Sequence, residues 1–103
     1  MRFWQIILEK MLKNLKVGEI KVTFPNNDIK TFKGVKRGPK ADVIFLTEKS
    51  IKDSILGGSL GFCEAIISGE VQSKNLSKLI EIGGHEESGL NTTGKGHYFF
   101  KTL

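Results

Sequence analysis

Few residues in this chain have the types and spacing that covalent chemistry needs. Cys63 is the single cysteine. It lies in the run Gly57-Gly58-Ser59-Leu60-Gly61-Phe62-Cys63-Glu64-Ala65-Ile66-Ile67-Ser68-Gly69-Glu70-Val71, where apolar neighbours predict a buried, inert thiol. His85 and His97 stand twelve residues apart in glycine-rich sequence, and neither shares a helical turn with an acid or with Cys63. No metal site can be assembled from them. Glu64 and Glu70 invite a general acid–base reading, but Glu64 suits capping of the glycine corner or pairing with a lysine equally well. Gly57-Gly58-x-x-Gly61 follows a predicted helix, not a strand, and lacks dinucleotide-binding spacing; there is no phosphate-binding P-loop. No Ser/His/acid set can be proposed beyond chance, and no cofactor is expected.

The cations carry more information. The net charge is +5 over 103 residues. Residues 1–40 hold ten Lys/Arg against three acids, while the rest of the chain is net negative. A basic half suits an anionic partner, a lipid surface or nucleic acid. Lys33, Lys36, Arg37 and Lys40 cluster around Gly38-Pro39 and are the candidate headgroup contacts. Nucleic acid is the weaker choice, because no recognition motif accompanies the charge and there is one tryptophan and one tyrosine.

These residues need positioning elements. Residues 2–15 have helical spacing: Trp4, Leu8, Met11, Leu12 and Leu15 form one stripe, with Phe3 and Ile7 beside it. Four glycines in an apolar run cost too much for a plain core helix, at roughly 1 kcal/mol each. They predict a corner at 57–61 built from Gly57, Gly58 and Gly61, a short buried helix at about 61–68, and Gly69 as its stop. Ile20, Val22 and Phe24 alternate with polar residues as in a half-buried strand. Pro25-Asn26-Asn27-Asp28 reads as a turn and 29–33 as the return strand. Residues 34–40 read as a basic loop. Asp42-Val43-Ile44-Phe45-Leu46-Thr47 reads as a central strand buried on both faces. Thr47 is placed to cap a helix from Glu48, residues 70–72 make a short strand, and Leu76, Leu79 and Ile80 share the face of a last helix ended by Gly83-Gly84. Beyond it, residues 83–103 read as a weakly ordered tail, apolar at Tyr98-Phe99-Phe100. The expected architecture is one α+β domain, an antiparallel-rich sheet covered by helices on one face.

The order of these pieces resembles the N-terminal domain of cyclopropane-fatty-acyl-phospholipid synthases. Gly18-Glu19-Ile20-Lys21-Val22-Thr23-Phe24-Pro25-Asn26 resembles that family's G-x-L-x-V-x-x-P-D/N-G opening. Phe32-Lys33-Gly34 and Gly38-Pro39-Lys40-Ala41-Asp42-Val43 are similar to its F-G-G…G-P-x-A-x-L stretch. Gly57 to Glu70 resembles its G-G-x-L-G-F-x-E-A-Y-M-x-G-E-W segment, with Ile66 and Val71 where the family has aromatics. The resemblance spans about residues 12–82. It implies a sterol carrier protein-like, lipid-facing accessory domain without its S-adenosylmethionine-dependent methyltransferase, so no catalytic residue carries over.

The expected function is a non-catalytic lipid or fatty-acyl binding module. Trp4, Ile7, Leu8, Met11, Leu60, Phe62, Ile66 and Ile67 are its candidate acyl-chain contacts. The alternative is an interaction subunit that docks on a separately encoded methyltransferase domain or on itself. A single cysteine and the brevity of the apolar run at Phe3–Leu8 point to a cytoplasmic protein, peripheral to the inner face of the membrane.

Overall fold

The computed structural model describes residues 3–84. Helix α1 (Phe3–Leu12) leads into strands β1 (Val17–Thr23), β2 (Ile29–Lys33) and β3 (Lys36–Phe45). Helices α2 (Glu48–Leu56) and α3 (Gly58–Ser68), strand β4 (Val71–Gln72) and helix α4 (Leu76–Gly84) complete the chain order. The sheet order is β2-β1-β3-β4. β1 pairs antiparallel with β2, and β3 antiparallel with β4. β1 and β3 are parallel. The fold is α+β as expected, with a mixed sheet.

The alternation in β1 sends Ile20 and Val22 to one face, joined across the ladder by Ala41, Val43 and Phe45 of β3. Against them pack Leu8 and Leu12 of α1, Ile51 of α2, Phe62 and Ala65 of α3, and Leu79 and Ile82 of α4, in one cluster. The alternate strand residues Glu19, Lys21, Thr23, Asp42 and Ile44 are half-buried or exposed. Helices therefore cover one face. β3 is an inner strand as expected, but it is not buried on both faces. Its apolar run ends with Ile44 half-buried and Leu46 50% exposed, because among the described residues no second helical layer lies beyond the sheet.

The local signals act where they were read. Thr47 caps α2, its Oγ1 accepting the Ser50 N–H at 3.0 Å. Gly69 ends α3 at φ +86° with its N–H donating to the Ile66 carbonyl. The turn at 24–28 closes with Phe24 N–H to the Asp28 carbonyl and Asn27 at φ +70°. The glycine corner differs from expectation. α3 begins at Gly58, so only Gly57 separates it from α2, and Gly61 lies inside the helix.

Another correction concerns residues 34–40, which do not form a loop. β3 starts at Lys36, pairs with Val17, and resumes register at Lys40 opposite Glu19. Arg37-Gly38-Pro39 bulges between those two points, which accommodates a proline inside a ladder. The link from β2 to β3 is Gly34-Val35 alone, and it crosses the start of β1 to reach the other side.

Candidate functional site

The crossing forces backbone against backbone. The Gly34 N–H donates to the Gly18 carbonyl at 2.8 Å and the Lys36 N–H to the Lys16 carbonyl at 3.0 Å. A Cβ at Gly34 would stand 2.2 Å from the Lys16 carbonyl carbon, and one at Gly38 2.7 Å from the Val17 side chain. Gly18, at φ +87°, faces the Pro39 carbonyl just as closely. Small residues here bring three strand segments within one side chain's reach.

The result is a cleft of about 480 Å³ lined by Gly18, Glu19, Lys33, Gly34, Val35, Lys36, Arg37, Gly38 and Lys40. All four cations singled out from the sequence border it. Register explains why. Lys33 and Lys40 stand directly opposite Glu19 on its two neighbouring strands, while Lys36 precedes the bulge and Arg37 opens it. Lys33 Nζ lies 4.0 Å from Glu19 Oε1. One carboxylate thus sits among four cations, leaving the cleft strongly positive. Sequence reasoning missed Glu19, which spaces the lysines, and Val35, an aliphatic side chain 94% exposed at the crossing. A lone valine within Lys33-Gly34-Val35-Lys36-Arg37 was the available signal.

The candidate acyl contacts fall into three environments. Leu8 and Phe62 are buried in the core. Trp4, Ile7, Met11 and Ile66 are half-buried, with Trp4 and Ile66 packed against that core. Leu60 and Ile67 are 70% and 85% exposed on α3. None of the eight lines the basic cleft or the two clefts described next.

A second cleft, of about 460 Å³, lies at the α2–α3 corner and is lined by Lys49, Asp53, Leu56, Gly57, Gly61, Glu64, Ala65, Ser68 and Glu70. Gly61 permits it: a Cβ there would meet the Asp53 carbonyl oxygen at 2.1 Å. Lys49 donates to Asp53 at 2.6 Å. That hydrogen bond and the Asp53 charge raise the Lys49 pKa above its ordinary value, with smaller contributions from Glu70 and Glu64. A lysine held protonated is the wrong form for a nucleophile or general base, which needs a lowered pKa. Glu70 is structural here, accepting from Thr47 Oγ1 at 3.3 Å and, through its backbone carbonyl, from the Leu46 N–H. Glu64 is exposed on the cleft wall. Cys63 is a free thiol, half-buried where full burial was expected.

The third cleft, about 240 Å³, is lined by Lys21, Thr23, Asp42, Ile44, Lys74 and Asn75 on the uncovered side of the sheet. Asp42 there accepts from the backbone N–H groups of Lys74 and Asn75 at 3.0 and 3.3 Å, and its own carbonyl accepts from Ser73 Oγ at 2.6 Å. This carboxylate fixes the start of α4 and is occupied by that task. Among the described residues no group of three or more His, Cys, Asp or Glu could hold a metal ion.

In comparisons with known proteins, no family model, no curated protein and no solved structure matches the chain. His85, His97 and Tyr98-Phe99-Phe100 lie outside the described residues. Among those described, no helix is long and apolar enough to cross a membrane. Among the described residues, the basic cleft is where a net positive charge, a concave shape and close backbone approach coincide.

Proposed function

We propose that the chain is a non-catalytic lipid-binding module that engages an anionic membrane surface through the cleft at the β2–β3 crossing. The observation that carries this reading is the convergence of Lys33, Lys36, Arg37 and Lys40 on one cavity with a single acid. Cations near an anionic surface contribute about 1 kcal/mol each. Four, offset by Glu19, give on the order of 3 kcal/mol, a reversible and salt-sensitive contribution that apolar contacts supplement. A single-stranded nucleic acid is a poorer fit, since it calls for aromatic stacking platforms. The cleft has none, and Phe32 of β2 packs toward the helical layer. Leu60 and Ile67 remain available to an acyl chain.

The module would work as a peripheral protein at the inner face of the membrane, as the resemblance to the accessory domain of cyclopropane-fatty-acyl-phospholipid synthases implies, with a sterol carrier protein-like use of the fold. Co-sedimentation with vesicles containing phosphatidylglycerol, over rising salt, tests it. Binding at low salt that fades between about 50 and 300 mM is expected, given a screening length near 10 Å at 0.1 M. Equal recovery with neutral vesicles, or none with either, would sink the reading.

A second reading rests on Leu56, Leu60 and Ile67, which are 55%, 70% and 85% exposed. Leu60 and Ile67 are seven residues apart on α3 and follow Leu56 at the corner. An apolar strip of this kind suits a protein partner, either a methyltransferase domain or a second copy. Sedimentation velocity of the chain, alone and with Leu60→Ser, separates self-association from lipid binding.

A further inference from the structure

We infer that Val35 is a membrane-inserting residue, so that the β2–β3 crossing is the part of the molecule that enters the headgroup layer. The inference rests on the lipid-surface reading above and names the contact. Val35 is 94% exposed, more than the other large apolar side chains found exposed among the described residues. It is one of two residues linking β2 to β3, and its neighbour Gly34 is pinned by the N–H donated to the Gly18 carbonyl. The following residue, Lys36, is pinned through the Lys16 carbonyl. The valine therefore projects from a fixed backbone and loses little conformational freedom on contact.

The chemistry around it selects the occupant. Lys33, Lys36, Arg37 and Lys40 share the cleft with Val35, and Lys16 lies across the crossing. An apolar tip ringed by cations matches a surface that is anionic outside and hydrocarbon beneath. A protein partner with an acidic face would complement the cations but would leave the valine against charge. A soluble phosphate would leave it in water. β-Branching suits the position as well, since one stiff aliphatic group can enter the boundary without ordering a long side chain.

The test uses the full chain and vesicles of phosphatidylglycerol and phosphatidylcholine. Val35→Asp should weaken binding about tenfold, through lost apolar contact and one unfavourable charge. Val35→Trp should strengthen it severalfold. In a Trp4→Phe background, that new tryptophan should be quenched by lipids brominated near the headgroup end of the acyl chain. Circular dichroism melting should leave Val35→Asp and Val35→Trp close to the parent, because Val35 packs on almost nothing, and Val35→Trp in the Trp4→Phe background is compared with Trp4→Phe alone. If Val35→Asp binds as the parent does while Arg37→Glu loses binding, the insertion is overturned and surface attachment stands. If the parent itself ignores these vesicles, both fall.

Discussion

The two glycine-lined clefts of this molecule use the same steric device for opposite electrostatics. At the strand crossing, Gly18, Gly34 and Gly38 let backbone meet backbone, and the cavity so formed carries four cations and one acid. At the helical corner, Gly57 and Gly61 do the same between α2 and α3, and the cavity carries Lys49 with Asp53, Glu64 and Glu70. The volumes are nearly equal, about 480 and 460 Å³. What differs is where the charges point. At the corner one lysine faces three acids, with Lys49 paired to Asp53 and Glu70 accepting from Thr47, which leaves that cleft net negative. At the crossing four cations face one acid, which leaves that cleft net positive. A glycine cluster therefore marks a close approach and says nothing of use; the sign of the charge beside it does.

The comparison can be broken or sharpened in several ways. The largest effect should come from filling either approach. Gly34→Ala and Gly61→Ala each place a methyl group about 2 Å from backbone, and each should lose about 3 kcal/mol of stability in urea unfolding. A loss below 1 kcal/mol at either site would mean that the backbone there yields. Next come the charges. Arg37→Ala with Lys40→Ala should cost about 2 kcal/mol of vesicle affinity, roughly thirtyfold, whereas Lys49→Ala should cost none. Equal losses would erase the distinction between the clefts. Smaller again, Thr47→Ala removes the α2 cap and should cost about 1 kcal/mol of stability with lipid affinity unchanged, measured by thermal melting.

The smallest effect is a dependence on pH. Asp53 raises the Lys49 pKa above 10.5. A raised pKa contributes stability that is complete below the unfolded value and fades as pH rises through the folded one. Lys49 is exposed and Asp53 half-buried, so solvent screens the pair and its contribution is slight. The gap in urea midpoint between parent and Asp53→Asn should be constant from pH 7 to about 9.5 and close above 10.5. A gap that widened at alkaline pH would contradict the assignment.

Elements with strong local chemistry were legible from the sequence. The β1–β2 hairpin announces itself by alternation and by Pro25-Asn26-Asn27-Asp28, and Thr47 and Gly69 act where their types predict. The parallel pairing of β1 with β3 was hidden because Gly38-Pro39 reads as a break, whereas here it is absorbed by a bulge. Asp42 was silent because its partners, Ser73 to Asn75, are remote in sequence. Ser50 and Ser54 look like surface residues yet are buried, each hydroxyl satisfied by a carbonyl of the preceding turn, at Thr47 and Ser50. Of the candidate site, the four cations were found by local density alone. Their focus on one cavity follows from cross-strand register, which composition does not reveal.

The two-residue link between β2 and β3 also bears on how the chain assembles. Pairing β3 with β1 directly would close a loop several times longer than the hairpin turn, and each doubling costs about 0.6 kcal/mol of chain entropy. Once β2 has docked, only Gly34 and Val35 remain to be closed. The cheap route is sequential: hairpin, then crossing, then the inner parallel ladder that gives α2, α3 and α4 their floor. The strand segments that gather the cations would then be among the earliest parts of the domain to acquire native form, ahead of the helical corner they resemble.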